Sequence, residues 1–454
     1  MIGGLILEQN NKLMFSKRAL RRLIFPLIIE QMLALSIGLI DTIMISSLGD
    51  AAISGVSLVD MIVALIIDLF AAMATGGAVI AAQYIGAGDT KNARKSASQL
   101  IFIAFTISVI IMGIFIAFKK PILLFCFKSL ESDVMASAVS YFWISSLSFP
   151  FIAVYNCCAA LFRTMGNSKI SMFAALITNV LNIIGNSIMI FGFKKGVAGA
   201  AAAATFSRFI CMVFLLTLIC SKSNTIYISF KERFKPDFKM IKNILNIAVP
   251  TSIESSLFNF GRILVVGVIT PFGTMHIAAN AVANSIDALG VIPGQAIALA
   301  SITVIGQCVG AKNEYQIRLY TKKLIKLAYL AMAISNTVII LTLPLTLKLY
   351  NISADAYNLA VILVFIHSIS AMLIWPPSFL MPNVLKAAND VTFVMLISMF
   401  SMFACRLVLS YIIGHVLGFG VIGVWFAMIT DWIFRAVCFT IRYKGKRWIK
   451  YKIN

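Results

Sequence analysis

Twelve predominantly apolar runs, each longer than twenty residues, dominate the chain. They lie at roughly 22–48, 56–81, 97–118, 135–161, 170–193 and 198–220, then at 245–270, 277–308, 324–347, 356–385, 392–414 and 419–441. About 20 apolar residues suffice for a helix to cross the hydrocarbon core of a bilayer. Within lipid only helices and closed barrels satisfy all their backbone hydrogen bonds, and continuous runs of this length are helical. The expected fold class is therefore all-α, a polytopic membrane protein of twelve transmembrane helices. Composition agrees: 60% of residues are hydrophobic and 12% charged, where a soluble domain carries about 25% charged residues.

The second six runs repeat the first. Pro26, Glu30 and Gly49 recur as Pro250, Glu254 and Gly273, each displaced by 224 positions. At the same displacement Gln83, Gly86, Ala87 and Arg94 match Gln307, Gly310, Ala311 and Arg318, and Gly196 and Gly199 match Gly420 and Gly423. RTMGNSKISM (163–172) aligns with KAANDVTFVM (386–395) at a displacement of 223. Six helices per half make this a parallel repeat about an axis along the membrane normal. The domain reading is a basic arm (1–21), an N-lobe (22–220), a polar linker (221–243), a C-lobe (244–441) and a tail (442–454). A channel does not need two such halves, whereas alternating access does; a duplicated transporter is expected.

The net charge of +21 is a topology signal rather than a sign of nucleic-acid binding. Basic residues gather in alternate loops, around Lys91, Arg94 and Lys95, Arg163 and Lys169, 231–242, 312–326, Lys386 and the tail. The positive-inside rule makes these loops and both termini cytoplasmic in the cell (inner) membrane. The basic arm precedes a long apolar run with no small-residue cleavage signature, so a retained first helix is expected rather than a secretion signal. The eight cysteines sit in or beside apolar runs without metal-ligand spacing and read as packing residues. Prolines are dense at Pro376, Pro377 and Pro382, which predicts a broken or bent tenth helix.

Ionisable groups at membrane depth cost several kcal/mol, roughly 2.5–3.5 for Asp, and mark function by default. Asp41 is mid-span, and Val265 stands at its repeat position. Glu30, eleven residues earlier, lies about 20° away around the helix, but nearer the cytoplasmic end, where solvation is open to it. Asn179, Asn182 and Asn186 form one stripe at i, i+3 and i+7. Beside a carboxylate, such amides can build a Na⁺ site of hard oxygen ligands, Asp41 and Asn182 first among them, or a network that tunes a protonatable acid. On the seventh helix Glu254, Asn259 and Arg262 are candidates for substrate contact, with a substrate-facing Glu254 favoured over an internal pair with Arg262. Asp68, Asp60 and Asp287 could serve a cationic substrate. Asp431 and Arg435, at i, i+4, are expected to pair structurally. Tyr141, Phe142, Trp143, Tyr155 and Trp375 are candidates for rings lining a cavity.

These stretches resemble the multidrug and toxic compound extrusion family, in its prokaryotic NorM/DinF-like branch. The resemblance is carried by Pro26 with Asp41-Thr42, AAQYIGAG (81–88), FRTMGNSK (162–169), NVLNIIGNSIMIFG (179–192), PTSIESSLFNFGR (250–262) and GVIGVWFAMITDWIFR (420–435). It covers nearly the whole chain, in order. It implies two six-helix lobes and export of bulky, cationic, amphipathic compounds by antiport with Na⁺ or H⁺, with no other cofactor. Asp41 then falls on the family's coupling acid, Asn182 on an Asn near it, and Glu254 on a seventh-helix Glu. Asn186 stands where many prokaryotic members have Asp, and the tenth helix offers His367 but no carboxylate. The expected partners are lipophilic cations and the lipid bilayer, and the expected state is a monomer. The alternative within the wider superfamily is a lipid-linked saccharide flippase, which would show a more cationic cavity. An enzyme is not expected, since the three histidines are scattered, and no GxxxxGK[ST] loop offers direct ATP drive.

Overall fold

A chain whose apolar runs must satisfy every peptide group internally has one solution, and the structure adopts it: α-helices throughout. The structure, a computed structural model, describes residues 13–127, 131–229, 235–350, 352–445 and 448–449. In the first half the helices are α1 (Lys17–Ser46), α2 (Asp50–Gly86), α3 (Thr90–Ala117), the short α4 (Lys119–Cys126), α5 (Ser132–Ser146), α6 (Phe149–Thr164), α7 (Ser168–Gly192) and α8 (Gly196–Ile219). The second half holds α9 (Phe238–Ile269), α10 (Thr274–Gly310), α11 (Glu314–Leu347), α12 (Ala354–Leu373), α13 (Met381–Ala387), α14 (Val391–Val416) and α15 (Gly420–Lys444). Among the described residues eleven helices are long and apolar enough to cross a membrane, or twelve when the bent pair α5–α6 counts as one span.

The breaks fall where the sequence removes hydrogen bonds. α5 and α6 meet at 48° just ahead of Pro150. The tenth span is interrupted after Leu373 and resumes as a π-helical stretch, Pro376–Leu380, before α13. Prolines 376, 377 and 382 supply no backbone N–H, and the wider turn absorbs the carbonyls they leave free.

Two compact units divide the chain: Ala19–Ser252, and the arm up to Arg18 together with Ile253 onward. Their boundaries lie inside α1 and α9, and the last residues of the linker read from the sequence (221–243) belong to α9. In the first unit Gln99 of α3 binds the linker, donating to the Lys235 carbonyl (2.9 Å) and accepting from the Asp237 amide (3.2 Å). In the second unit the buried Tyr320 of α11 grips the arm: its hydroxyl accepts from Phe15 N and donates to Phe15 O, both at 2.8 Å.

The duplication is written in the backbone more fully than in the residues. Gly49 and Gly273, at the turns before α2 and α10, have φ of 99° and 101° with ψ of 171° and 169°, a region open essentially to glycine alone. Other left-handed positions recur with changed side chains: Gly88 with Lys312, Lys194 with Gly418, and Gly166 with Asn389. Helix caps recur too. Asp89 accepts from Asn92 N ahead of α3, and Asn313 accepts from Gln316 N ahead of α11, both at 3.0 Å.

Candidate functional site

In the first unit α1 and α7 run parallel in matched register. The Asn179 amide donates to the Leu33 carbonyl (3.1 Å), and the Asn186 amide donates to Asp41 Oδ1 (2.7 Å). Eight residues on α1 thus match seven on α7, two helical turns on each. Asn186 also donates to Asn182 Oδ1 (2.8 Å), so two of the three stripe residues form a network with the acid, while Asn179 ties α7 to the α1 backbone. The side-chain oxygens of Asn179 and Asn186 are buried with no hydrogen-bond donor among the described residues. A half-buried carboxylate with amide oxygens beside it offers hard donors of the type Na⁺ takes, and equally a carboxylate that can carry a proton. Arg208, the lone charged residue of α8, donates to Ser148 Oγ (2.8 Å) and lies within electrostatic reach of both Asp41 and Asp60. Asp68 on α2 and Tyr155 on α6 are half-buried in this same unit.

Nearer the basic loops each unit holds a buried ion pair, and the two are repeats of one another. Glu30 of α1 meets Arg163 of α6 at 2.7 Å and accepts from Ser171 Oγ of α7 at 2.6 Å. Glu254 of α9 meets Lys386 of α13 at 2.7 Å and accepts from Ser398 Oγ of α14 at 2.8 Å. Both the acids and the bases are repeat positions. The hydroxyls are not, because Ser398 lies one turn beyond Val394, which aligns with Ser171. Arg435 Nη2 of α15 stands a further 3.9 Å from Glu254.

This geometry bears on several of the readings made from the sequence. Glu254 is 8% exposed and held in an internal ion pair rather than facing substrate, because α13 delivers an ammonium that Arg262 could not. Arg262, about 80° around the helix, is exposed. Glu30 is 7% exposed, so solvation does not explain it. Asp431 and Arg435 do not pair. Asp431 lies 3.7 Å from Arg406 of α14, while Arg435 turns to Glu254 and covers the Phe379 ring at 4.7 Å. Spacing i, i+4 sets a shared face, and better-placed partners on neighbouring helices won. Trp375 is 4% exposed, stacked on Phe379 at 5.1 Å and packed against Gly294. Tyr141 and Phe142 are likewise buried, leaving Trp143 and Tyr155 as the more accessible of the five candidate rings. Asn259 is half-buried on α9.

Sequence reading missed Arg163, Ser171, Lys386, Ser398 and Arg208 as members of these networks. The signal for the first pair of bases was present: Arg163 and Lys386 align in the repeat, as Glu30 and Glu254 do. Arg208 was signalled by being the one charge in its apolar run.

Comparison with known proteins follows the same two halves. The MatE family model matches residues 26–188 and 250–412, again 224 apart. The uncharacterized transporter YisQ of Bacillus subtilis is 27% identical over 94% of both chains. The probable multidrug resistance protein NorM of Thermotoga maritima is 25% identical over 96% of this chain and 93% of its own. Among solved structures, a MOP superfamily transporter from Pyrococcus furiosus superposes with a TM-score of 0.88 at 21% identity, covering 96% of this chain and 97% of the other. That likeness speaks for the fold. Duplicated six-span halves, a family match spanning both and full-length relatives lead to one assignment: the chain belongs to the multidrug and toxic compound extrusion (MatE) family of multi-pass membrane transporters.

Proposed function

We propose that the protein is a secondary active exporter. It moves lipophilic, cationic organic compounds out of the cell in exchange for inward Na⁺ or H⁺, by alternating access of two lobes, with both termini cytoplasmic. The observation that carries the reading is the Asp41–Asn186–Asn182 network on two parallel helices of one unit. An acid of that kind at membrane depth is expensive to hold idle. The name of the NorM relative, a probable multidrug resistance protein, supports the substrate class.

In this mechanism the incoming cation binds the Asp41 carboxylate. Its amide neighbours either complete the ion's oxygen shell or re-form their hydrogen bonds around the protonated acid. Either event changes what α1 and α7 offer each other, and export follows if the ion-loaded unit holds the organic cation less tightly. Only this difference in affinity couples the fluxes; coupling of about 1–3 kcal/mol changes affinity roughly 5- to 150-fold. The buried basic groups Arg163, Lys386, Arg435 and Arg406 have acidic partners, and Arg208 lies within electrostatic reach of Asp41 and Asp60, which supports a cation exporter over a flippase for lipid-linked saccharides.

The test is ethidium efflux from proteoliposomes under Na⁺ and pH gradients imposed separately. One gradient should drive efflux in the wild type and fail in Asp41→Asn. Full efflux in Asp41→Asn would remove the coupling role from Asp41, and no gradient-driven efflux of any cationic dye would favour the flippase.

A further inference from the structure

The second unit holds a cluster of buried charges that does not balance. Glu254 serves two bases, Lys386 at 2.7 Å and Arg435 at 3.9 Å, while Arg406 has Asp431 at 3.7 Å. Three bases face two acids, so the cluster carries one net positive charge. Asp431 is fully buried, and Lys386, Glu254 and Arg435 are each 8% exposed or less. No neighbouring charge among the described residues corrects the excess. Arg442, further along α15, is closed on Asp390 by two hydrogen bonds (2.7 and 3.1 Å), and Asp287 of α10 is turned to His367. Arg262, exposed on α9, lies within electrostatic reach of Arg406 and adds no negative charge.

The donors of the cluster are also short of acceptors. Arg435 engages Ser398 Oγ with Nη2 (3.2 Å), but its Nε and Nη1 are buried with no hydrogen-bond acceptor among the described residues. Arg406 Nε is in the same state. Both guanidinium groups stand by the Phe258 ring, Arg406 at 5.7 Å and Arg435 at 5.5 Å, and Arg435 also lies 4.7 Å from Phe379. Ring faces soften an excess of positive charge without cancelling it. Net charge in an apolar interior is costly unless it is paired. Water can accept from the idle N–H groups but brings no negative charge. A monovalent anion brings both, and a guanidinium, weakly hydrated, suits such buried pairing. Repulsion from Asp431, whose carboxylate oxygens lack donors as well, places the anion at Arg435, one turn along α15, rather than between Arg406 and Asp431.

We propose that Arg435, with Lys386 and Arg406 supplying field around it, binds one small monovalent anion of the size of chloride inside the second unit. The anion acts as the missing counter-charge where α15 packs against α9 and α14. The proposal does not require the export reading, since neither substrate nor cation gradient enters its test.

The test is thermal unfolding of the full-length protein in detergent, with chloride replaced by the bulkier gluconate at constant sodium and ionic strength. An anion that binds only the folded chain raises the midpoint along a saturating curve, by several degrees here. Equilibrium binding of radioactive iodide should reach one ion per chain and be displaced by chloride. Arg435→Gln and Lys386→Met each bring the cluster to zero net charge, so each should lose both the chloride dependence and the bound iodide. Either variant decides the matter if the other fails to fold. A wild-type midpoint equal in chloride and gluconate, with no saturable iodide, would overturn the proposal and leave water as the partner of the idle donors; this result needs no variant. Saturable binding undiminished in Arg435→Gln would place the anion elsewhere and overturn it too.

Discussion

Glu254→Gln should destabilise the protein more than Glu30→Gln, although the two acids are repeats. The glutamine keeps the shape and removes the charge. At Glu254 this strands Lys386, 9% exposed at its side chain, and also Arg435 at 4%. At Glu30 it removes the charge partner of Arg163 alone, whose side chain is 16% exposed and better able to find water. Removing one partner of a buried pair costs about 3–5 kcal/mol, so Glu254→Gln belongs at the upper end and Glu30→Gln at the lower. With roughly 2–4 °C of melting temperature per kcal/mol for a unit of this size, Glu254→Gln should lower the midpoint by on the order of 10 °C. The assay is thermal unfolding of purified protein in detergent, followed by tryptophan fluorescence. Adding Lys386→Met to Glu254→Gln removes the stranded ammonium and should recover roughly 1–3 kcal/mol. A Glu254→Gln midpoint equal to wild type, or a double variant no better than the single, would refute the reasoning.

Three further outcomes follow from the same structure. Gly49→Ala and Gly273→Ala should each cost about 1–3 kcal/mol from backbone strain alone, because no atom lies within 4 Å of the added methyl at either site; Gly113→Ala, helical and equally unhindered, should not destabilise in the same melts. Asp89→Ala should cost about 0.5 kcal/mol, the low end for a lost cap at a solvated site. Hydrogen bonds from Asn92 hold the Asp89 carboxyl below its ordinary range, so the difference should be full above about pH 4 and vanish as pH falls through the lowered folded value. Tyr320→Phe removes the hydroxyl that both accepts from and donates to Phe15, and limited trypsin digestion should then cut after Lys17 or Arg18 several-fold faster than in wild type.

The spans were legible because lipid imposes one requirement on every residue of a helix, and apolar runs record it directly. The contact between Asp41 and Asn186 was half legible. The i, i+3, i+7 stripe gave the face of α7, while the parallel register that brings it to Asp41 is a property of two helices. Partners across helices were not legible one at a time. Nothing near Glu254 in the chain points to Lys386, 132 positions on, and local spacing pointed to Arg262 instead. The repeat held that answer, since Arg163 and Lys386 align as the two glutamates do. Backbone symmetry hid wherever residue identity changed, as at Lys194 and Gly418, because either can occupy the left-handed region when the turn demands it. Trp375 misled because an aromatic ring in a proline-rich span serves a cavity or a packed core equally well, and only Gly294 opposite it decides.

The central claim is obligatory exchange at Asp41, and the most direct measurement is reverse flux without any imposed ion gradient. Ethidium added to one side of proteoliposomes should drive Na⁺ or H⁺ the opposite way, read by radioactive sodium or an entrapped pH dye. Counter-movement of one of these ions is expected in the wild type and none in Asp41→Asn. Ethidium movement with no ion counter-flow in the wild type, or equal counter-flow in Asp41→Asn, would contradict it.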